Sequence, residues 1–221
     1  MRRLRAALAI VVGSLWVLSL IPLRAADTLP ARLADDAYWR LITDLSEVPP
    51  GSYPYSVFTG NEPGYQEMLP QLTRIVAPGG TYLGVGPEQN YTYIAALKPK
   101  MAILIDIRRD QMLLHLMYKA LFEMSSDRAD FVGKLFSRRR PAQLTADSPV
   151  QDIFRAYATA ARDRTLLATY SDAIINNLKT THHLGLSASD EQRIRVIFEI
   201  FASEGVVTFM SSQESPGYTR T

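Results

Sequence analysis

The feature that most constrains this chain is the stretch over residues 81–110. It reads as strand, glycine-bearing turn, short helix, and a second strand that ends in an acid. Thr81-Tyr-Leu-Gly-Val85 is short and β-prone, and Gly84-Val-Gly86-Pro-Glu-Gln-Asn90 turns the chain. Residues 91–97 predict a short helix, closed by Lys98-Pro-Lys100. Residues 101–107 form an apolar run interrupted only by Asp106, the pattern of a parallel strand buried on both faces. Parallel strands cannot be joined by a tight hairpin, and a helix is the usual crossover. The spacing therefore predicts a β-α-β unit.

This order has a chemical rationale. A glycine after the first strand lets backbone approach a ligand, and the next helix offers free N–H groups at its start. Asp106 follows Gly86 by about 20 positions, where the acid of a nucleotide-binding unit accepts hydrogen bonds from ribose hydroxyls. The turn is Gly-x-Gly-x-x-Gln, with Gln89 where a dinucleotide site carries its third glycine. That disfavours NAD and FAD and leaves adenosyl ligands as the better fit. Glu88, Gln89 and Asn90 would orient such a ligand or simply cap the helix. Arg108 and Arg109 would hold a phosphate or carboxylate, or one of them would pair with Asp106, Asp110 or Asp127. In the plainer alternative, Gly84 and Gly86 only permit a tight turn, and Asp106 caps or pairs locally.

The chain begins with a different signal. Arg2, Arg3 and Arg5 precede an uncharged, apolar stretch over residues 6–23, the pattern of an export signal or membrane anchor. Residues 1–26 are therefore expected to be that signal or anchor, with the body exported: periplasmic, or anchored in the inner membrane facing the periplasm. Residues 27–50 read as a linker with a helix over 35–45. Residues 51–221 read as one α/β domain. Absence of cysteine removes disulfides and thiolate sites. A formal net charge of +2 gives no electrostatic case for nucleic acid. No metal is expected, since the adjacent His182 and His183 diverge and His115 sits among leucines as a core histidine would.

Elsewhere helices dominate. Apolar spacing predicts them over 65–76, 110–124, 150–161, 166–178 and 188–204, with a β-like run over 206–210. Residues 53–59 read as an edge segment or ordered loop, the Asn61-Glu62 pair as a turn or a pocket rim, and Arg138, Arg139 and Arg140 as a solvated basic loop. Two confident strands cannot bury both faces of an open sheet. The expectation is a helix-rich chain whose sheet is incomplete and whose domain is truncated at the C-terminus.

The block from Gly84 to Ala95 (GVGPEQNYTYIA), followed by Ile105-Asp-Ile-Arg-Arg-Asp110, resembles a bacterial family of uncharacterised, methyltransferase-like proteins. The likeness continues through His115–Phe122, Asp127–Asp130 and Leu135–Arg138. It implies a Rossmann-like, class I methyltransferase-like three-layer α/β sheet that runs on beyond residue 221. It places Gly84 and Gly86 on the cofactor loop and Asp106 on the ribose-binding acid, with S-adenosylmethionine as cofactor. Methyltransferases often carry an acid before that loop, where this chain has Tyr82 and Leu83.

Three functions follow as expectations. The first is an envelope protein binding S-adenosylmethionine or a related adenosyl ligand, with methyl transfer resting on positioning. The second is a non-catalytic envelope protein that binds another ligand or a partner. The third is an enzyme acting on a different nucleotide-like or anionic small molecule. Export weighs against the first, because S-adenosylmethionine is not expected outside the cytoplasm.

Overall fold

A computed structural model describes residues 30, 32–46, 58–60 and 64–211. The expected export segment, the Asn61-Glu62 turn, most of the 53–59 segment and the polar tail lie outside the described residues. No described helix is long and apolar enough to cross a membrane.

Helix α1 spans Asp35–Leu45 and carries Asp35 and Asp36 in its first turn, where acids complement the positive helix end. A 3-10 turn over Tyr65–Met68 leads into α2, Leu69–Ile75, which holds a proline in its first turn. Strand β1 is Thr81–Val85, helix α3 is Gln89–Leu97 and strand β2 is Met101–Ile105. The strands are parallel, in register from Thr81↔Met101 to Val85↔Ile105. Helix α3 stops where Lys98 enters the left-handed region (φ 50°) and Pro99 follows. The β-α-β unit is thus formed as its spacing requires.

Five helices follow. They are α4 over Arg109–Met124, α5 over Arg128–Leu135, α6 over Val150–Ala158, α7 over Arg164–Asn176 and α8 over Ala188–Ser211. Helix α7 passes into a π-helical turn, Asn177–Thr181. Asp127 caps α5 by accepting from Asp130 N at 2.8 Å, and Asp163 caps α7 through the amides of Thr165 and Leu166. Leu114, Met117 and Leu121 of α4, Ile153 and Tyr157 of α6, Ile174 of α7, and Ile197 and Phe198 of α8 form one buried core. Two bidentate ion pairs tie α4 to α8. Arg109 donates to Asp190 at 2.7 and 2.9 Å, and Arg193 Nε donates to Asp110 at 2.7 Å with a second contact from Nη2.

The three-layer Rossmann-like sheet is not what forms. Among the described residues the sheet holds two strands, in the order β1-β2, and the core is a helical bundle. Apolar residues beyond β2 recur at helical spacing, so they bury one another and not the faces of a sheet. The 206–210 run, despite its β-branched residues, lies inside α8, where an established helix overrides local strand preference. Nor is β2 buried on both faces: Ile103 and Ile105 are 37% and 50% exposed, and the strand ends before Asp106.

Candidate functional site

The glycine turn connects β1 to α3. Gly86 has φ +81°, in the left-handed region that a side chain disfavours. Gly84 is bare for a different reason. A Cβ there would stand 2.1 Å from Asn90 Oδ1 and 2.7 Å from the Tyr82 ring. The space beside Gly84 is therefore filled by the protein's own Asn90. That side chain is buried, and its amide nitrogen donates to the carbonyls of Val85 (3.0 Å), Gly86 (3.0 Å) and Pro87 (2.8 Å). Its Oδ1 accepts from the Tyr82 hydroxyl at 2.7 Å. Asn90 is a rivet under the turn.

A short strap, Phe58 to Gly60, covers the other side. Phe58 and Thr59 are buried, and the Gly60 amide donates to both carboxylate oxygens of Glu88, at 2.9 and 3.1 Å. Burial pushes the Glu88 carboxyl up, and the Gly60 amide partly offsets this by stabilising the anion. Gln89 lies against Gly60, close enough that a Cβ on Gly60 would come within 2.6 Å of Gln89 Oε1. That oxygen is buried and accepts no hydrogen bond. Nothing in the sequence pattern marked Gly60; its bareness makes room for Gln89, a long-range packing fact.

Gly86 N donates to Ile105 O at 3.3 Å, which brings the turn beside the end of β2. Asp106 sits there with its side chain 12% exposed, and its Oδ1 accepts from Arg108 N at 2.9 Å. Arg108 Nε lies 3.7 Å from the same oxygen. The expected site residues Gly84, Gly86, Glu88, Gln89, Asn90, Asp106 and Arg108 are thus brought together, and they mostly engage one another or nearby backbone.

His115 of α4 extends this network. Its Nε2 lies 3.0 Å from Gly86 O and its Nδ1 lies 2.8 Å from the Tyr91 hydroxyl. A carbonyl only accepts, so Nε2 carries the proton and Nδ1 accepts from Tyr91. Burial holds the His115 ring below its ordinary pKa and the Tyr91 hydroxyl above its own, which keeps both neutral.

Other titratable groups are also committed. His182, buried in the turn after α7, places Nε2 2.6 Å from Glu123 and Nδ1 3.1 Å from Asp35, joining α1 to α4. The Arg138–Arg140 run is solvated in part, with Arg139 and Arg140 exposed, but its side chains are also engaged. Arg138 donates to Ala160 O, Arg139 pairs with Asp163 at 2.8 Å, and Arg140 pairs with Asp127 at 2.8 Å. Sequence reasoning missed these partners because each lies on an element distant in the chain.

The profile of a domain of unknown function, DUF7790, matches residues 58–184, more than half of the 221 residues. No curated protein and no solved structure matches the chain. The matched span begins at the strap residue Phe58 and contains the whole glycine turn.

Proposed function

The chain belongs to the DUF7790 family, and we propose that it is a non-catalytic interaction protein of the cell envelope. The observation that carries this reading is that Glu88, Asn90 and Asp106 of the glycine turn are already engaged by the protein's own groups. Glu88 is held by the Gly60 amide, Asn90 by three carbonyls and a tyrosine, and Asp106 by the Arg108 amide. An adenosyl ligand would have to displace hydrogen bonds to charged groups worth about 1.5–3 kcal/mol each. The turn acts as a structural joint between β1, β2 and α4, and His115 fixes it to the bundle.

The surface supports an interaction role. On one face of the sheet Leu83 and Val85 are 65% and 62% exposed, beside Ile103 and Ile105. Contiguous exposed apolar surface is the usual mark of a polypeptide-binding face. Among the described residues each strand also has a single neighbour, so a partner can add a strand to the sheet edge. The basic and then apolar N-terminus would deliver this face to the envelope.

Isothermal titration of the purified full chain with S-adenosylmethionine, its demethylated product and adenosine tests the reading. No heat beyond dilution is expected. A dissociation constant below about 100 μM for any of them would sink it in favour of adenosyl-ligand binding. An alkaline phosphatase fusion after Leu45 tests the envelope placement separately. An active reporter is expected, and an inactive one would return the protein to the cytoplasm.

A further inference from the structure

We propose that the cavity bounded by the end of α4 and by α5 and α6 binds a small amphipathic carboxylate, its apolar body inside and its head on Arg128. The cavity measures about 370 Å³, within the range of roughly 300–1,000 Å³ typical of small-molecule sites. Its walls include Phe122, Phe131, Val150, Ile153 and Phe154. Phe122 and Phe131 stack with centroids 4.7 Å apart and planes 10° from parallel, so each ring holds the other in place at the cavity. Phe122, Val150 and Phe154 nevertheless remain 49%, 44% and 37% exposed. Apolar surface gathered into a concavity and left facing water is what an apolar ligand body covers.

The polar groups at the cavity choose the head. The Ser125 hydroxyl already donates to Leu121 O at 2.7 Å. Asp127 spends one oxygen on Asp130 N and the other on Arg140, so its charge is matched. Arg128 lines the same cavity and makes no ion pair with any described residue. Among the described residues its hydrogen bond is a long contact of 3.5 Å to Ser148 O. A guanidinium without an ion pair among the described residues, beside an aromatic slot, suits a carboxylate, whose two oxygens match its fork. An uncharged tail of the same length would gain only the apolar walls.

The test compares octanoate with octan-1-ol, titrated calorimetrically into the full chain. Val150→Trp, which adds bulk to the cavity lining, provides the background for partition elsewhere. Octanoate should bind wild type more tightly than octanol. Arg128→Gln should weaken octanoate at least about fivefold and leave octanol unchanged, and Val150→Trp should abolish both. Equal binding of the two probes, no saturation by about 5 mM octanoate, or octanoate binding indifferent to Arg128→Gln would each overturn the proposal. Thermal melts of both variants matching wild type exclude loss of fold as the cause.

Discussion

The helical bundle and the β1–α3–β2 unit are built from similarly apolar sequence, yet they end in opposite environments. In the bundle Leu114, Met117 and Phe198 have no exposed surface at all. In the sheet Leu83, Val85 and Ile105 keep half or more of theirs. Hydrophobicity says that a segment gains by burial; it does not say what will bury it. The bundle helices supply one another's partners, whereas the outer sheet face meets none among the described residues. Stability should therefore reside in the bundle, and the sheet should carry a surface available to other molecules.

Paired substitutions test that contrast most severely. Phe198→Ala should cost about 3–5 kcal/mol, since truncating a buried aromatic loses its transfer energy and leaves a cavity. Leu83→Ala, at a site 65% exposed, should cost less than about 0.5 kcal/mol. Urea denaturation of both variants measures the difference. Equal losses would show that the sheet face is buried in solution and end the comparison.

The joint between the two regions comes next. Gly84→Ala places a Cβ where Asn90 Oδ1 stands 2.1 Å away, so the amide must leave its carbonyl partners. The expected cost is about 2 kcal/mol, the middle of the overpacking range. In an Asn90→Ala background the same substitution should cost clearly less, because the obstructing side chain is gone. Additive losses in that cycle would mean that Asn90 is not what keeps Gly84 bare.

These residues also show where sequence reading succeeds and where it stops. The bounds of β1 and of α1, and the existence of α3 and α4, follow from local signals: β-prone runs, helical spacing, and the Lys98-Pro99 break. The gathering of Gly84, Gly86, Glu88, Gln89, Asn90, Asp106 and Arg108 also follows, because the crossover itself brings them together. The three-layer fold did not, since a β-α-β unit is compatible with many surroundings. Asp190, Gly60 and Asp35 were equally out of reach. Their partners Arg109, Glu88 and His182 lie far away in sequence, and no short pattern encodes such pairs. The engagement of Glu88, Asn90 and Asp106 that changes the functional reading is thus a tertiary property of residues whose identities were plain.

A smaller effect is expected at the α4–α8 clamp. Asp190 has a side chain 6% exposed, and the Arg109 guanidinium holds its carboxyl below the ordinary range, helped by Ser187. Asp190→Asn should cost about 1.5 kcal/mol near neutral pH, the low end of the range for hydrogen bonds to charged groups. The pH dependence has a definite sign. A carboxyl with a depressed folded-state pKa binds fewer protons folded than unfolded, so its contribution is complete above the unfolded value. It is lost as pH falls through the ordinary 3.8 and then the lower folded value. Wild-type stability should decline over that acid range, and Asp190→Asn should make the decline shallower. An unchanged acid limb would show that the clamp does not hold the bundle.

The smallest effect is expected where the apolar residues are most exposed, and its smallness is the informative result. Leu83→Thr with Ile103→Thr places a β-branched residue at both strand positions while lowering the apolar character of the open face. These residues are cross-strand partners in the parallel register and lie 65% and 37% exposed, so folding recovers little from them. Unfolding free energy should stay within about 0.5 kcal/mol of wild type. Binding of an environment-sensitive dye such as ANS should fall, because the patch it reads has become polar. Stability and surface are then separable, as a docking face requires: the face can be altered without unfolding the bundle that presents it. A loss approaching that of Phe198→Ala would instead make the sheet part of the core, and no surface would remain for a partner.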